Sequence, residues 1–269
     1  MTTATITVGQ RSSHGGLAGA IASEWTKVWS VRSSWLNIVA AALLTALLGV
    51  QFGFSTAYDN THLRPGHVAE MAAVGSVGVS AMIIVQVVVA AFALLQVTSE
   101  YSTGSIRSTL QWTPVRRNVV LGKAVVLGPV LFAYGLLLGA IAAVSGGLAM
   151  GEWADWDLAT LVVDLVSIAA YLTLGGLFTL GIAFVIRSTA GTLTVAFLML
   201  LVLVLPMMLG QSSLRALVWL AALLPGGAGQ NFLSGSTDPL SPTISFIVLI
   251  AWAAGGLALG LKILQRRDA

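Results

Sequence analysis

Residues 71–97 read MAAVGSVGVSAMIIVQVVVAAFALLQV, residues 98–117 read TSEYSTGSIRSTLQWTPVRR, and the join between them decides the fold. Met71 to Val97 is a run of 27 residues without a charge. A helix rises about 1.5 Å per residue, so about 20 apolar residues cover the roughly 30 Å hydrocarbon core of a bilayer. The first stretch is long enough to cross. The second displays Glu100, Arg107, Arg116 and Arg117 before another long apolar run begins, as a loop between two spans would.

The rest of the chain agrees. Of 269 residues, 57% are hydrophobic and 9% charged, whereas soluble domains carry about a quarter charged residues. With a mean hydropathy of +0.93 there is too little polar surface to wet a globule. The expectation is one all-α, polytopic membrane domain. Its six spans are placed at Trp35–Phe54, Met71–Val97, Ala124–Ala149, Leu158–Ile186, Gly191–Leu209 and Thr243–Leu264. Lipid offers backbone amides no partner, so a span is a helix or a strand of a closed barrel. Continuous apolar runs, without a period of two, decide for helices.

Loops rich in Lys and Arg stay in the cytoplasm. With both termini inside, the cytoplasmic set is Arg11, Lys27, Arg32, Arg107, Arg116, Arg117, Lys123, Arg187, Lys262, Arg266 and Arg267, which is 11 of the 13 basic residues. Only Arg64 and Arg215 fall outside, with Asp59, Glu70, Glu152, Asp155, Asp157 and Asp238. The segment LRALVWLAALL, residues 214–224, is too short to cross before PGG breaks it. It is expected to be an interfacial or re-entrant helix within an outer segment, residues 211–241. The first residues lack a signal-peptide pattern, and the mature chain is expected to begin near Met1. Residues 1–34 form an N-terminal cytoplasmic segment, 35–264 the spanning domain and 265–269 a cytoplasmic tail. The chain is expected in the plasma membrane, with membrane lipid as a partner and no nucleic acid.

Before the first span, Leu17, Ile21, Trp25, Val28 and Trp29 recur at steps of three and four, while Ser23, Glu24, Thr26, Lys27 and Ser30 take other faces. This suits a helix lying in the headgroup layer, with Lys27 turned toward lipid phosphate. A plain amphipathic lead-in would show the same pattern. In the loop, Gly104 and Pro114 punctuate a short helix over SIRSTLQW, with Gly104 or Ser105 as N-cap. Ile106, Leu110 and Thr113 form one side of it and Arg107 projects elsewhere. So short a helix is not stable alone and must pack on its own spans or on a partner. Read from the residues alone, the loop is a basic anchor sooner than a docking element, with Glu100 paired to Arg107 or Lys123.

The run EYSTGSIRSTLQWTPVRRNVVLGKAV, residues 100–125, resembles the first cytoplasmic loop of permease subunits of type 2 ATP-binding cassette (ABC) exporters. The matching positions are Glu100, Gly104, Ser105, Ile106, Arg107, Pro114, Arg116, Gly122 and Lys123. SEWTKVWSVRSSW is similar to the family's N-terminal elbow helix, Arg187 and Ser188 to its tight loop between spans four and five, and LLPGGAG to its outer loop before the last span. The Ala- and Gly-rich composition with three lysines resembles actinobacterial members.

The resemblance implies that residues 98–118 carry a coupling helix seated in a groove of a separate ATPase. Ile106, Leu110 and Trp112 would make apolar contact there. Arg107, Arg116 and Arg117 would pair with acidic groups of the ATPase or with lipid phosphate, and Glu100 would lock the loop to the permease or the ATPase. It further implies two ATPase copies, a second permease subunit, identical or related, and a path formed mainly by spans two and five.

The chain has no energy source of its own. At its one Gly-Lys, LGKAVV, Ala124 replaces the magnesium-binding Ser or Thr of a phosphate loop and Arg117 stands in place of its first glycine. ATP and magnesium are therefore expected in a partner, with no cofactor here and no enzyme activity. A proton-coupled carrier would need ionisable groups near the midplane, and the spans offer Asp164, expected at the outer interface, and the uncharged Gln86 and Gln96. Ser145 lies in a span without a base to activate it, because His14, His62 and His67 all fall outside the spans. His62 and His67 beside Arg64 are expected to be solvated rather than metal ligands. With no cysteine, disulfides, thiolate metal sites and cysteine nucleophiles are excluded. Lys123 is expected to snorkel to the cytoplasmic surface. Beside ATP-driven export, two other readings stand: a non-transporting anchor or sensor, and a proton-coupled transporter.

Overall fold

The computed structural model describes residues 16–63, 68–202 and 215–266. The chain runs through α1 (Leu17–Ser30), α2 (Arg32–Thr61), α3 (Val74–Thr103), α4 (Ile106–Trp112), α5 (Arg116–Met150), α6 (Leu158–Ile186), α7 (Thr189–Leu200), α8 (Arg215–Ala222), α9 (Pro225–Ser234) and α10 (Pro242–Arg266). It is an all-α polytopic membrane protein. Five helices, α2, α3, α5, α6 and α10, are long and apolar enough to cross a bilayer, and α8 with α9 makes a sixth if that bent pair counts as one span.

These helices outrun the apolar stretches that announce them. α5 starts at Arg116 rather than Ala124, and α2 continues past Phe54 to Thr61. Hydropathy marks where hydrocarbon ends, whereas the i to i−4 hydrogen-bond ladder can continue into the headgroup layer. Of the expected span Gly191–Leu209, α7 covers the part up to Leu200, and residues 203–209 lie outside the described ones.

The expected break at PGG requires a correction, while a short apolar helix, α8, does precede it. The chain does bend there, by 88° between α8 and α9, but PGG opens a second helix instead of ending the apolar segment. Pro225 occupies the first turn of α9, where its missing N–H would have no intrahelical partner anyway and its fixed φ already suits a helix. Gly226 to Gly229 are buried, and Gly229 lies so close to the Tyr171 ring that no Cβ fits between them. A further feature absent from the sequence reading is a two-residue parallel ladder, in which Ala72–Ala73 pairs with Ala154–Asp155. It ties the start of α3 to the turn before α6.

α6 packs against α3, α5, α9 and α10, while α2 packs on α3 and α5. Two-thirds of the α6 span is buried against 22% of the α2 span, so α6 is central and α2 is an outer helix. Small residues set the closest approaches. A Cβ on Gly181 would lie 2.2 Å from the Gly256 carbonyl carbon, and one on Gly135 would lie 2.6 Å from the Ala169 Cα. Polar side chains pin the helices as well. The Asn37 amide donates to the Val88 carbonyl at 3.0 Å, and the Tyr134 hydroxyl donates to the Asn37 carbonyl at 3.1 Å. Between α3, α6 and α7, the Tyr171 hydroxyl donates to Gln86 Oε1, and the Gln86 amide donates to the Leu200 carbonyl at 3.2 Å. α5 runs unbroken through Pro129.

Two turns place the functional end. α3 closes on Gly104 at φ 73°, a left-handed conformation that glycine adopts without Cβ strain. α6 closes on Arg187 at φ 62°, and α7 starts two residues later behind a Ser188 cap. The Arg187 guanidinium lies 5.1 Å from the centre of the Tyr101 ring, a cation–π contact from the α6–α7 turn to the end of α3.

Candidate functional site

The loop after α3 folds as its spacing predicts. α4 is seven residues long, about 10 Å. Ile106 and Thr113 are buried and Leu110 is half-buried, while Arg107, Ser108, Gln111 and Trp112 face outward. Ser105 occupies the N-cap position but its side chain caps no backbone amide. Pro114 is exposed in the link to α5, which begins two residues later.

Behind α4 lies a cluster of four charges drawn from three helices: Glu24 and Lys27 of α1, Glu100 of α3 and Lys123 of α5. Lys123 Nζ reaches Glu24 Oε2 at 2.6 Å, Glu100 Oε1 at 2.7 Å and the Gln96 carbonyl at 2.8 Å. Lys27 Nζ reaches Glu24 Oε1 at 2.7 Å, Glu100 Oε1 at 2.9 Å and Thr109 Oγ1 of α4 at 3.4 Å. The Thr109 hydroxyl in turn donates to Glu100 Oε2 at 3.3 Å. An ammonium has three donors, and each lysine finds three acceptors. Both carboxylates use both oxygens.

The satisfaction of every group decides whether such a cluster can exist. Lys123 is 1% exposed, Glu24 4% and Glu100 7%. A charge so buried loses several kcal/mol of hydration, which the partner's attraction offsets only with good geometry and no unpaired donor or acceptor. Here two cations and two anions sum to zero and the bonds are complete. For Lys27, burial disfavours the charged form, but the Glu24 and Glu100 carboxylates outweigh it and hold the ammonium above the ordinary lysine value. Lys27 is therefore charged throughout the neutral range. The cluster joins α1, α3, α4 and α5 into one unit, because moving any one element breaks bonds of the others.

Several sequence expectations change accordingly. Lys27 turns into the cluster, not toward lipid phosphate. Lys123 does not snorkel; it is the most buried charge of the site. Of the two partners considered for Glu100, the structure has Lys123, joined by Lys27. Ile106 is 3% exposed against its own chain, so its side chain is not on the surface that α4 presents. Arg116 also turns inward, donating to the Leu264 carbonyl at 2.6 Å and the Gln265 carbonyl at 3.1 Å, where a cation complements the C-terminus of α10. Trp112 is 81% exposed, and Arg107 and Arg117 are exposed as well.

On α1, Val28 is buried, Ile21 and Trp29 are half-buried, and Leu17 and Trp25 are exposed. The helix packs on α5, where a Cβ at Gly122 would sit 3.1 Å from that of Ala20. Periodicity sets Glu24 and Lys27 off the apolar stripe of α1 because it weighs each residue on its own helix; the signal that reveals the cluster is a lysine, Lys123, set inside an apolar run and therefore in need of a buried acid.

Other candidates fall into structural places. Ser145 donates to the Ile141 carbonyl at 2.7 Å and lies against Gly49. Asp164 packs on Gly75. His62 is exposed and stacks on Tyr58, with ring centres 4.1 Å apart. His14, His67, Arg11 and Arg64 lie outside the described residues, and among the described ones no three metal-ligating side chains converge.

An amphipathic helix, a loop helix and two spans are clamped by one neutral charge cluster at one end of a multi-pass membrane protein. The family described as ABC-2 family transporter protein matches residues 20–204, from α1 past the end of α7, and the chain belongs to that family. It is a membrane component of an ABC transporter, and the family implies a partner ATPase subunit. No curated protein matches the chain.

Proposed function

We propose that this chain is the permease subunit of an ATP-driven exporter and that α4 is the element through which a separate ATPase moves it. The observation that carries this reading is the clamping of α4. A two-turn helix does not hold itself together, yet this one is tied through Thr109, Ile106 and Thr113 to α1, α3 and α5 while Trp112, Arg107 and Gln111 stay outside. A force applied to that outer face passes into two spans and the lead-in helix together. The α1 end is taken as the cytoplasmic one, since Lys27, Arg32, Arg116 and Lys123, all on the basic side of the six-span topology, lie there. ATP and magnesium bind in the partner. Two permease subunits enclose the path, with α3 and α7 nearest to it, and two ATPase subunits bind them.

The test is co-expression with a candidate ABC ATPase from the same organism and isolation through a tag on the permease. The ATPase is expected to co-purify, and shortening residues 102–113 is expected to release it while the permease stays folded in detergent. An ATPase that binds equally well without the segment would overturn the coupling role. Substrate movement driven by a proton gradient without ATP would favour a secondary transporter.

A further inference from the structure

A second feature of the α1 end lies on its lipid-facing side. Trp25 and Trp29 of α1 and Trp35 of α2 form a continuous aromatic wall, with ring centres 5.7 Å and 5.6 Å apart in sequence. The Trp35 indole donates to the Trp29 carbonyl at 3.0 Å, which fixes the turn between the two helices. Opposite this wall, Pro129, Tyr134 and Leu137 of α5 complete a half-open groove of about 310 Å³. Its lining is almost wholly apolar. Along α5 it extends over nine residues, a rise of roughly 12 Å, running from the level of the amphipathic helix toward the middle of the bundle.

We propose that this groove holds one acyl chain of a phospholipid from the leaflet on the α1 side, with the lipid phosphate on Arg32. Water does not stably fill an apolar space of this kind, and at this depth the abundant apolar molecule is lipid. A cation one turn from the lining residue Trp35 selects the occupant's polarity. Arg32 is exposed and lies one turn before Trp35 on the same face of α2, toward the headgroup layer. Among the described residues it has no hydrogen bond or ion pair, whereas Lys27, Lys123 and Arg116 are engaged within the protein. A guanidinium takes a phosphate in bidentate fashion. A chain seated between α1, α2 and α5 braces the lead-in helix from the side opposite the charge cluster. The inference needs only the membrane position of the bundle and stands apart from the permease reading.

The experiment is native mass spectrometry of the purified full chain in mild detergent, supplied with equal phosphatidylglycerol and phosphatidylethanolamine, without nucleotide or ATPase. One phospholipid per chain is expected, with the anionic lipid favoured several-fold. Ala133→Trp, which fills the groove, is expected to cut retention at least tenfold. Arg32→Gln is expected to keep a lipid but lose the preference for phosphatidylglycerol. Arg32 is exposed, so this second variant reports even if Ala133→Trp fails to fold. Undiminished retention in a folded Ala133→Trp variant, an unchanged headgroup preference in Arg32→Gln, or a retained molecule that is not a phospholipid would each overturn the proposal.

Discussion

Replacing Lys123 by methionine is expected to destabilise the chain by about 3–5 kcal/mol, the usual effect of removing one partner from a buried ion pair. Methionine fills much the same space, so the loss is electrostatic. Glu24 and Glu100 would be left buried with Lys27 alone between them and a net charge of −1. The distinguishing result comes from the double variant Lys123→Met with Glu24→Gln. It restores neutrality, leaving Lys27 opposite Glu100, and is expected to recover much of the loss. Thermal unfolding of the four proteins in one detergent forms a double-mutant cycle. Losses that simply add would show that the four charges are not a single unit.

The second large effect concerns binding rather than stability. Trp112 is 81% exposed, so Trp112→Ala opens no cavity and is expected to leave stability within about 0.5 kcal/mol. A large aromatic side chain on a docking helix is nevertheless the commonest kind of interface hot spot, where truncation removes 2 kcal/mol or more. Affinity for the ATPase is therefore expected to fall about 30-fold. Arg107→Glu adds a reversal of charge at the same face and is expected to slow association most at low salt. Titration of the purified ATPase against nanodisc-embedded permease measures both. Unchanged affinity in Trp112→Ala would move the contact to another surface.

The two sets of residues divide along the line between what a sequence displays and what it hides. Span positions are legible because hydrocarbon thickness imposes a length on each apolar run, and α2, α3, α5, α6 and α10 were found that way. The inward face of α4 is legible too, since Ile106, Leu110 and Thr113 follow helical spacing within eight residues. The charge cluster is not legible from periodicity. The bonds that bring α1 into it join residues 73 to 99 positions apart, from Lys27 to Glu100 and from Glu24 to Lys123. Taken one helix at a time, Lys27 looks like a surface residue and Lys123 like a snorkelling one. Proline misled for a different reason. Pro225 is equally compatible with a stop and with the first turn of a new helix, and the burial of the following glycines against Tyr171 selects the second. The strand pair of Ala72–Ala73 with Ala154–Asp155 is too short to leave any pattern.

The proposed docking of an ATPase on α4 can be tested at a single position. The chain contains no cysteine, so Ser108→Cys, on the exposed face of α4, creates one unique thiol. Its labelling by a membrane-impermeant maleimide reports both sidedness and docking. Strong labelling in inside-out vesicles, none in whole cells and protection when the ATPase is bound is the expected result; labelling of whole cells, or equal labelling with and without the ATPase, would contradict it.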